Sequence, residues 1–306
     1  MPKRAALDLS HVGRSRLLLP YLLSRASGSQ AGLHPRRLPS GSARMTGRGL
    51  ADRGDRHPDW RRPDHYAVLM KADRNIFAWE WLRRTSAYRR AWQEHCERSG
   101  STAPDAREFG LERFEDPGLG APRARPVWCA SIDPAVIKAR VKSFVAPPED
   151  RIDLLEWSDL VTVAIDDRQV EHLLLSNGER ALRIDVLEGT LIGCPAVLSY
   201  FLEGIQALQG PLSAIERLRS LRRTGRLWNP SLRSGQLQHR WILELRVADA
   251  MLVGVDQQEI ARTLFGSAVA PHRWRVASPA YRQRVQRLVY NARRRLDAPL
   301  DPQWFR

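Results

Sequence analysis

The sequence predicts an α+β protein, and three observations carry that prediction. Apolar residues recur at helical spacing from residue 58 to about 98, alternate with a period of two over 160–186, and return to helical spacing over 238–296. The expected order is a helical N-terminal domain, a small antiparallel β-meander with covering helices, and a helical C-terminal region. Residues 1–57 stand outside this plan. They are mostly Ser, Gly, Pro and Arg, and read as a disordered basic tail or as an upstream extension ahead of Met45.

In the N-terminal domain, residues 58–120, Trp60 and Pro63 lead into a short helix around Tyr66–Leu69. A second helix is expected from Arg74 to Arg84, and a third from Thr85 or Ser86, either a good cap, to about Arg98. Phe77, Trp81, Tyr88 and Trp92 are interleaved with Arg83, Arg84, Arg89 and Arg90. Such a mixture suits base stacking on a basic platform. It suits better a small hydrophobic core whose arginines snorkel outwards, and that reading is preferred. Residues 99–150 are loop-rich, and 121–150 are expected to be a linker with some extended structure.

The last unit, residues 151–306, is expected to hold the meander and the C-terminal helices. "LVTVAI", "VEHLLLS" and "ALRIDV" alternate, and Asn177-Gly178 is a hairpin-turn signal. Leu182, Ile184 and Val186 should face inwards, with Arg183 and Asp185 outwards. Helices over about Pro195–Leu208 and Pro211–Arg223 should cover the sheet, which cannot bury its face alone. A further helix is expected over Gln238–Val253, with Trp241, Leu245, Ala248 and Leu252 on one side.

Composition narrows the function. The chain has 49 Lys and Arg against 34 Asp and Glu, a formal charge of +15, which points to a polyanionic partner. Residues 1–57 supply +8 of it, so local patches must carry the case. Cys96, Cys129 and Cys194 form no C-x-x-C pair; a disulfide framework or zinc site is not expected, and a reducing cytoplasm is. The run "RLLLPYLL" at Arg16–Leu23 is short and broken by Pro20, and no stretch approaches the ~18 apolar residues of a membrane span.

No enzyme is expected. The eight histidines are scattered, with His57, His65, His95, His172, His239 and His272 in unrelated contexts, and H-E-x-x-H, G-x-S-x-G and P-loop motifs are absent. Asp166-Asp167 sits where a turn between strands is needed. Asp73, Glu80 and Glu94 read as surface charges. Neither a cofactor nor a metal is implied.

Chemistry concentrates at the C-terminus. In "GVDQQEIARTLFG", Asp256 is an N-cap with Glu259 three residues later, as in a capping box; Ile260, Ala261 and Leu264 face inwards, and Gly266 suits a left-handed helix end. A short helix with a small central residue and a terminal Gly is the first element of a helix-turn-helix. Ser278-Pro279 then opens a helix to Leu296. Tyr281, Val285, Leu288, Val289, Ala292 and Leu296 form its inner stripe. Gln283, Arg287, Tyr290 and Arg294 lie opposite, flanked by Arg284, Gln286 and Asn291. Arg suits guanine edges, Gln and Asn adenine, and further Arg phosphates. Between Ala270 and Leu296 there are eight arginines and no carboxylate, whereas solvated faces usually mix Glu with Arg. "SAVAPHRWRVA" separates the two helices, longer than the usual three or four residues, so the motif is a variant; Arg273 and Arg275 are expected on phosphates and Trp274 in the core.

"PDWRRPDHYAVL", "FAWEWLRRTSAYRRAW", "FGLERFEDP" and "PVWCASIDP" resemble the transcriptional-regulator-like N-terminal domain of a proteobacterial family. "LRVADAMLVGVDQQEIARTLFG" and "SPAYRQRVQRLVYNARRRL" resemble the DNA-binding domain of RovC-type regulators. The resemblance implies a sequence-specific, DNA-binding transcription regulator, most often an activator, of type VI secretion genes or of an integrative and conjugative element. It places double-stranded DNA on Gln257, Gln258 and Arg262 of the first helix. On the second it adds Arg282, Gln283, Arg284, Gln286, Arg287, Tyr290, Asn291, Arg293, Arg294 and Arg295. A cytoplasmic, nucleoid-associated homo-oligomer is expected, with RNA polymerase or an antiactivator protein as further partners. The competing reading is a protein-interaction module, such as an antiactivator or adaptor, without specific DNA contact.

Overall fold

Among the described residues, helices before and after a central sheet build two large hydrophobic cores. The computed structural model describes residues 58–97, 104–142, 147, 150–227, 235–266, 269 and 279–305. The elements are α1 (Arg74–Leu82), α2 (Ser86–Glu97), β1 (Ile137–Lys142), β2 (Val161–Ile165), β3 (Glu171–Ser176), β4 (Ala181–Glu188), β5 (Val197–Phe201), α3 (Gln209–Thr224), α4 (Gly235–Leu252), α5 (Gln257–Phe265) and α6 (Pro279–Asp297). Short 3₁₀ helices accompany them, the longest at Pro63–Lys71 ahead of α1, where a proline opens the first turn. The fold is α+β, as predicted. Residues 1–57, with the expected tail, lie outside the described residues.

The first core gathers residues from 60–128 with residues from 241–305. Tyr66, Phe77, Trp79, Trp81 and Tyr88 pack in one cluster with Trp241, Leu245 and Ala248 of α4, Ile260 of α5, Val285 and Ala292 of α6, and Trp304. Phe77, Trp81 and Tyr88 are therefore core residues, whereas Trp92 is half-buried and stands outside that cluster. Phe77 meets Trp241 edge-on with ring centres 5.0 Å apart, and Trp241 meets Trp304 at 5.0 Å. Thr85, one of the two expected caps, accepts the Tyr88 N–H on its hydroxyl at 3.3 Å.

Arg83 and Arg84 correct the sequence reading: they do not snorkel outwards but are buried, as is Glu80, expected at the surface. Glu80 binds Arg83 Nε at 2.8 Å and Arg84 Nη1 at 2.6 Å. Arg84 grips Asp249 of α4 with two bonds, Nε to Oδ1 at 2.7 Å and Nη2 to Oδ2 at 2.9 Å, and Tyr66 donates its hydroxyl to the same carboxylate at 2.6 Å. A buried charge persists only when paired in this way. Burial alone would raise the Glu80 carboxyl, but Arg83 and Arg84 outweigh it and hold the group at about 2. The folded carboxyl ionises more readily than the unfolded one, so its ion pairs stabilise fully above about pH 4.5 and lose that contribution as pH falls towards 2. Glu115 and Asp133, both pushed up by burial, act in the opposite sense, so the comparison needs a variant. The stability difference between wild type and Glu80→Gln, measured by urea unfolding, is expected to shrink across that acid range. A pH-independent difference would contradict it.

The second core lies under the sheet, whose strand order is β2-β3-β4-β1-β5. The meander β2-β3-β4 is antiparallel as predicted, with Leu173 opposite Ile184 and Leu175 opposite Leu182. Its Asn177-Gly178 turn is enforced sterically: Gly178 has φ +87°, and a Cβ there would lie 1.7 Å from the Pro122 carbonyl oxygen. Two strands of the sheet were not placed by the sequence reading, which gave 121–150 only some extended structure. The segment read as a linker supplies β1, which runs parallel to β4, and the segment read as a helix from Pro195 supplies β5, antiparallel to β1. The helix expected at Pro211–Arg223 is α3, and it buries Ala214, Leu218 and Leu221 in the core beneath the sheet.

The opposite sheet face is covered too. Arg183 and Asp185, expected to face solvent, are buried. Arg183 donates from Nε to the Trp128 carbonyl at 3.1 Å and from Nη2 to Asp185 at 2.8 Å, and Asp185 also meets His172 Nδ1 at 2.8 Å. Val127 packs there with Leu174 and Ala181, and Trp128 lends its carbonyl, so the two-period pattern reports only which residues share a face. Asp73, also read as a surface charge, is buried and takes Arg217 Nη1 at 2.9 Å. Asp166 performs turn duty, accepting the N–H groups of Arg168 at 3.0 Å and Val170 at 2.9 Å. Leu252, expected on the inner side of α4, is 48% exposed at the helix end.

Candidate nucleic-acid interface

α4, α5 and α6 form a three-helix unit. Asp256 caps α5, accepting the N–H groups of Gln258 and Glu259 at 2.8 Å each. Ile260 and Ala261 are fully buried, in the same core as Val285 and Ala292 of α6. Gly266 ends α5 with φ +60° and ψ −138°; the φ is positive as expected, but the ψ is not that of the left-handed helix. Glu259 is not confined to the cap: its carboxylate meets Arg61 of the N-terminal segment at 2.6 Å.

α6 spans 19 residues, about 28 Å, long enough to lie along a DNA groove. Val285, Leu288, Val289 and Ala292 are buried as an inner stripe, as the spacing predicted. Tyr281 packs on Phe265, ring centres 5.3 Å apart, and fixes the start of α6 on the end of α5. Gln283, Gln286, Arg287, Tyr290, Arg293 and Arg294 are exposed, Tyr290 at 67%. Arg284 is exposed as well, with its guanidinium 4.6 Å above the Phe265 ring, and Arg282 is half-buried. No salt bridge joins Arg282, Arg287, Arg293 or Arg294 to a carboxylate among the described residues.

Arg295 is the correction. It is buried, donates from Nε to Glu244 at 2.7 Å, and lies 4.5 Å over the Trp304 ring. It faces the protein, not a ligand. Asn291 is half-buried and donates to the other Glu244 oxygen at 3.0 Å, so it stands at the edge of the outer face. Sequence reasoning missed Glu244, which is completely buried on α4. With Arg240 added at 3.2 Å, its carboxylate holds three partners and ties α4 to α6. The signal was available: the two acids inside "WILELRVADAML", Glu244 and Asp249, have to be paired if that helix is buried, although the sequence does not say with what. On α5, Gln257 and Gln258 are half-buried and Arg262 is exposed. Arg273, Arg275, Trp274 and the Ser278 cap lie outside the described residues, whereas Val269 is buried in the first core.

The arrangement defines the class first: three packed helices with a basic outer helix are the kind of unit that docks on duplex DNA. The comparisons with known families make this particular. Residues 59–113 match a proteobacterial transcriptional regulator-like domain, and residues 203–297 match the T6SS transcription factor DNA binding domain. The chain thus carries, in the order its resemblance implied, two domains of a DNA-binding transcription regulator. A search of curated proteins found no match. Neither matched family is enzymatic, and the described residues contain no group of three or more His, Cys, Asp or Glu placed to hold a metal. No described helix is long and apolar enough to cross a membrane.

Proposed function

We propose that the chain is a sequence-specific transcription regulator that reads duplex DNA with the outer face of α6. One observation carries this: Gln283, Gln286, Arg287, Tyr290, Arg293 and Arg294 project from a helix whose inner stripe is locked in the core, with no acid among residues 279–296. Guanidinium and amide groups held on a rigid helix are the groups that read guanine and adenine edges in the major groove. Arg282 and Arg284 flank that face, Gln257, Gln258 and Arg262 extend it onto α5, and Arg273 and Arg275 belong to it on sequence grounds. Asn291 serves at the rim, and Arg295 positions the helix from within.

The T6SS family match supports a regulator of type VI secretion genes, and the family resemblance supports activation and a place on integrative and conjugative elements. One recognition helix covers few base pairs, so the reading includes a homo-oligomer on repeated half-sites, acting in the cytoplasm through RNA polymerase. Arg287→Ala is expected to weaken discrimination between the native upstream duplex and a shuffled one by about 1–3 kcal/mol. Competition binding at fixed salt measures it. An unchanged ratio would remove Arg287 from the reading face.

A further inference from the structure

We infer that the outer face of α3 is a second DNA-contacting surface, one that holds the phosphate backbone without reading sequence. The inference rests on the DNA-binding reading above but not on α6. Ala214, Leu218 and Leu221 are buried in the sheet core, which turns Arg219, Arg222 and Arg223 outwards; Arg226 follows just beyond the Gly225 cap, whose φ is +66°. All four arginines are exposed. Arg219 stands three and four residues before Arg222 and Arg223, and like charges at that spacing repel along a helix. Cations in a last turn complement the helix dipole, but Arg219 lies a turn earlier and Arg226 past the end, so the dipole accounts for part of the cluster only.

Several exposed cations elsewhere among the described residues pair with acids, as in Arg62–Asp64 at 2.7 Å, Lys138–Glu203 at 3.3 Å and Arg140–Glu188 at 3.3 Å; those of α6 do not. Among the described residues no such pair involves Arg219, Arg222, Arg223 or Arg226. Glu216 is the one acid on α3, and it lies N-terminal to the stripe. Arg222 donates from Nη1 to the Arg151 carbonyl, which holds its guanidinium at the surface. Repelling guanidinium groups arrayed on one face match a row of phosphate oxygens, each able to take a two-pronged contact. Duplex DNA is the polyanion favoured here because the matched DNA-binding domain begins at residue 203 and takes in α3 together with α6. The stripe stands on the sheet core and α6 on the helical core, so the two surfaces are separate features of that domain.

The test uses the full chain and fluorescence anisotropy with labelled duplexes of about 40 base pairs, the native upstream region and a shuffled copy, from about 50 to 300 mM NaCl. The triple variant Arg219→Gln, Arg223→Gln, Arg226→Gln leaves the Arg222 brace in place. Each phosphate neutralised adds about 0.9 to the slope of log affinity against log salt, so the triple variant is expected to flatten that slope by about 2–3 on both duplexes. The ratio between the duplexes should stay at the wild-type value. Should the triple variant fail to fold, Arg223→Gln alone is expected to flatten the slope by about 0.9. A wild-type slope on both duplexes overturns the inference, as does a loss confined to anionic phosphatidylserine vesicles. A wild type without preference for the native duplex, combined with a flattened slope in the variant, would remove the α6 reading and leave this one standing.

Discussion

Asp249→Ala is expected to destabilise the protein by about 3–5 kcal/mol, the range for removing one partner of a buried ion pair. The wild-type carboxylate accepts both prongs of Arg84 and the Tyr66 hydroxyl, and the Arg84 side chain is 0% exposed. Its loss leaves a guanidinium with Glu80 as its remaining acid and no water to replace the two missing bonds. The Tyr66 phenol, held far above its ordinary range by burial and then by Asp249, would lose its acceptor as well. Replacing both ionic partners, Asp249→Leu with Arg84→Met, should recover much of the loss, because desolvation then falls on apolar groups while Glu80 keeps Arg83. Urea unfolding of the single and double variants measures both effects. A single-variant loss below about 1 kcal/mol would mean that Arg84 reaches solvent in the folded state.

Glu244→Ala is expected to cost a similar amount, about 3–5 kcal/mol, and to impair DNA recognition although this carboxylate is fully buried and out of reach of any ligand. Without it Arg295 loses its 2.7 Å partner inside the core and Asn291 its 3.0 Å acceptor. The apolar stripe still attaches α6, but stripes of Val, Leu and Ala tolerate small rolls that a charge-assisted contact does not. Rotation of α6 would carry Arg287, Tyr290 and Arg294 away from their common direction. Preference for the native duplex should therefore fall in folded Glu244→Ala below its melting point, while Glu244→Gln, which keeps the shape and one acceptor, should fall between it and wild type. Lower stability with unchanged preference would show that packing alone orients α6.

These two acids mark the limit of what the sequence discloses. Local periodicity located α1, α2, the β2-β3-β4 meander and α3 to α6, because each repeats its own apolar spacing. It missed β1, whose "IKARVK" alternates over six residues only and lies among Pro-rich loops, and β5, where Pro195 imitated the start of a helix. Both joined the sheet through pairings with distant strands, which no local window contains. The site shows the same division. Arg294 and Arg295 are neighbours of one type; one is exposed and the other buried, and the difference is a carboxylate 51 positions away in sequence. The inner and outer stripes of α6 were legible, and so was the absence of acids along it. The partners of Arg83, Arg84, Arg183 and Arg295 were not, since pairing buried charges is a tertiary event.

Specific readout by α6 is tested most directly by fluorescence anisotropy of the full chain on its own upstream duplex and on a shuffled duplex of the same composition, across a salt series. The account predicts tighter binding to the native duplex that persists at about 150 mM salt, with shuffled DNA released as salt rises. Equal and weak binding to both duplexes, vanishing together with salt, would contradict it. The basic face would then be an electrostatic surface only, and the chain would be better described as a protein-interaction module.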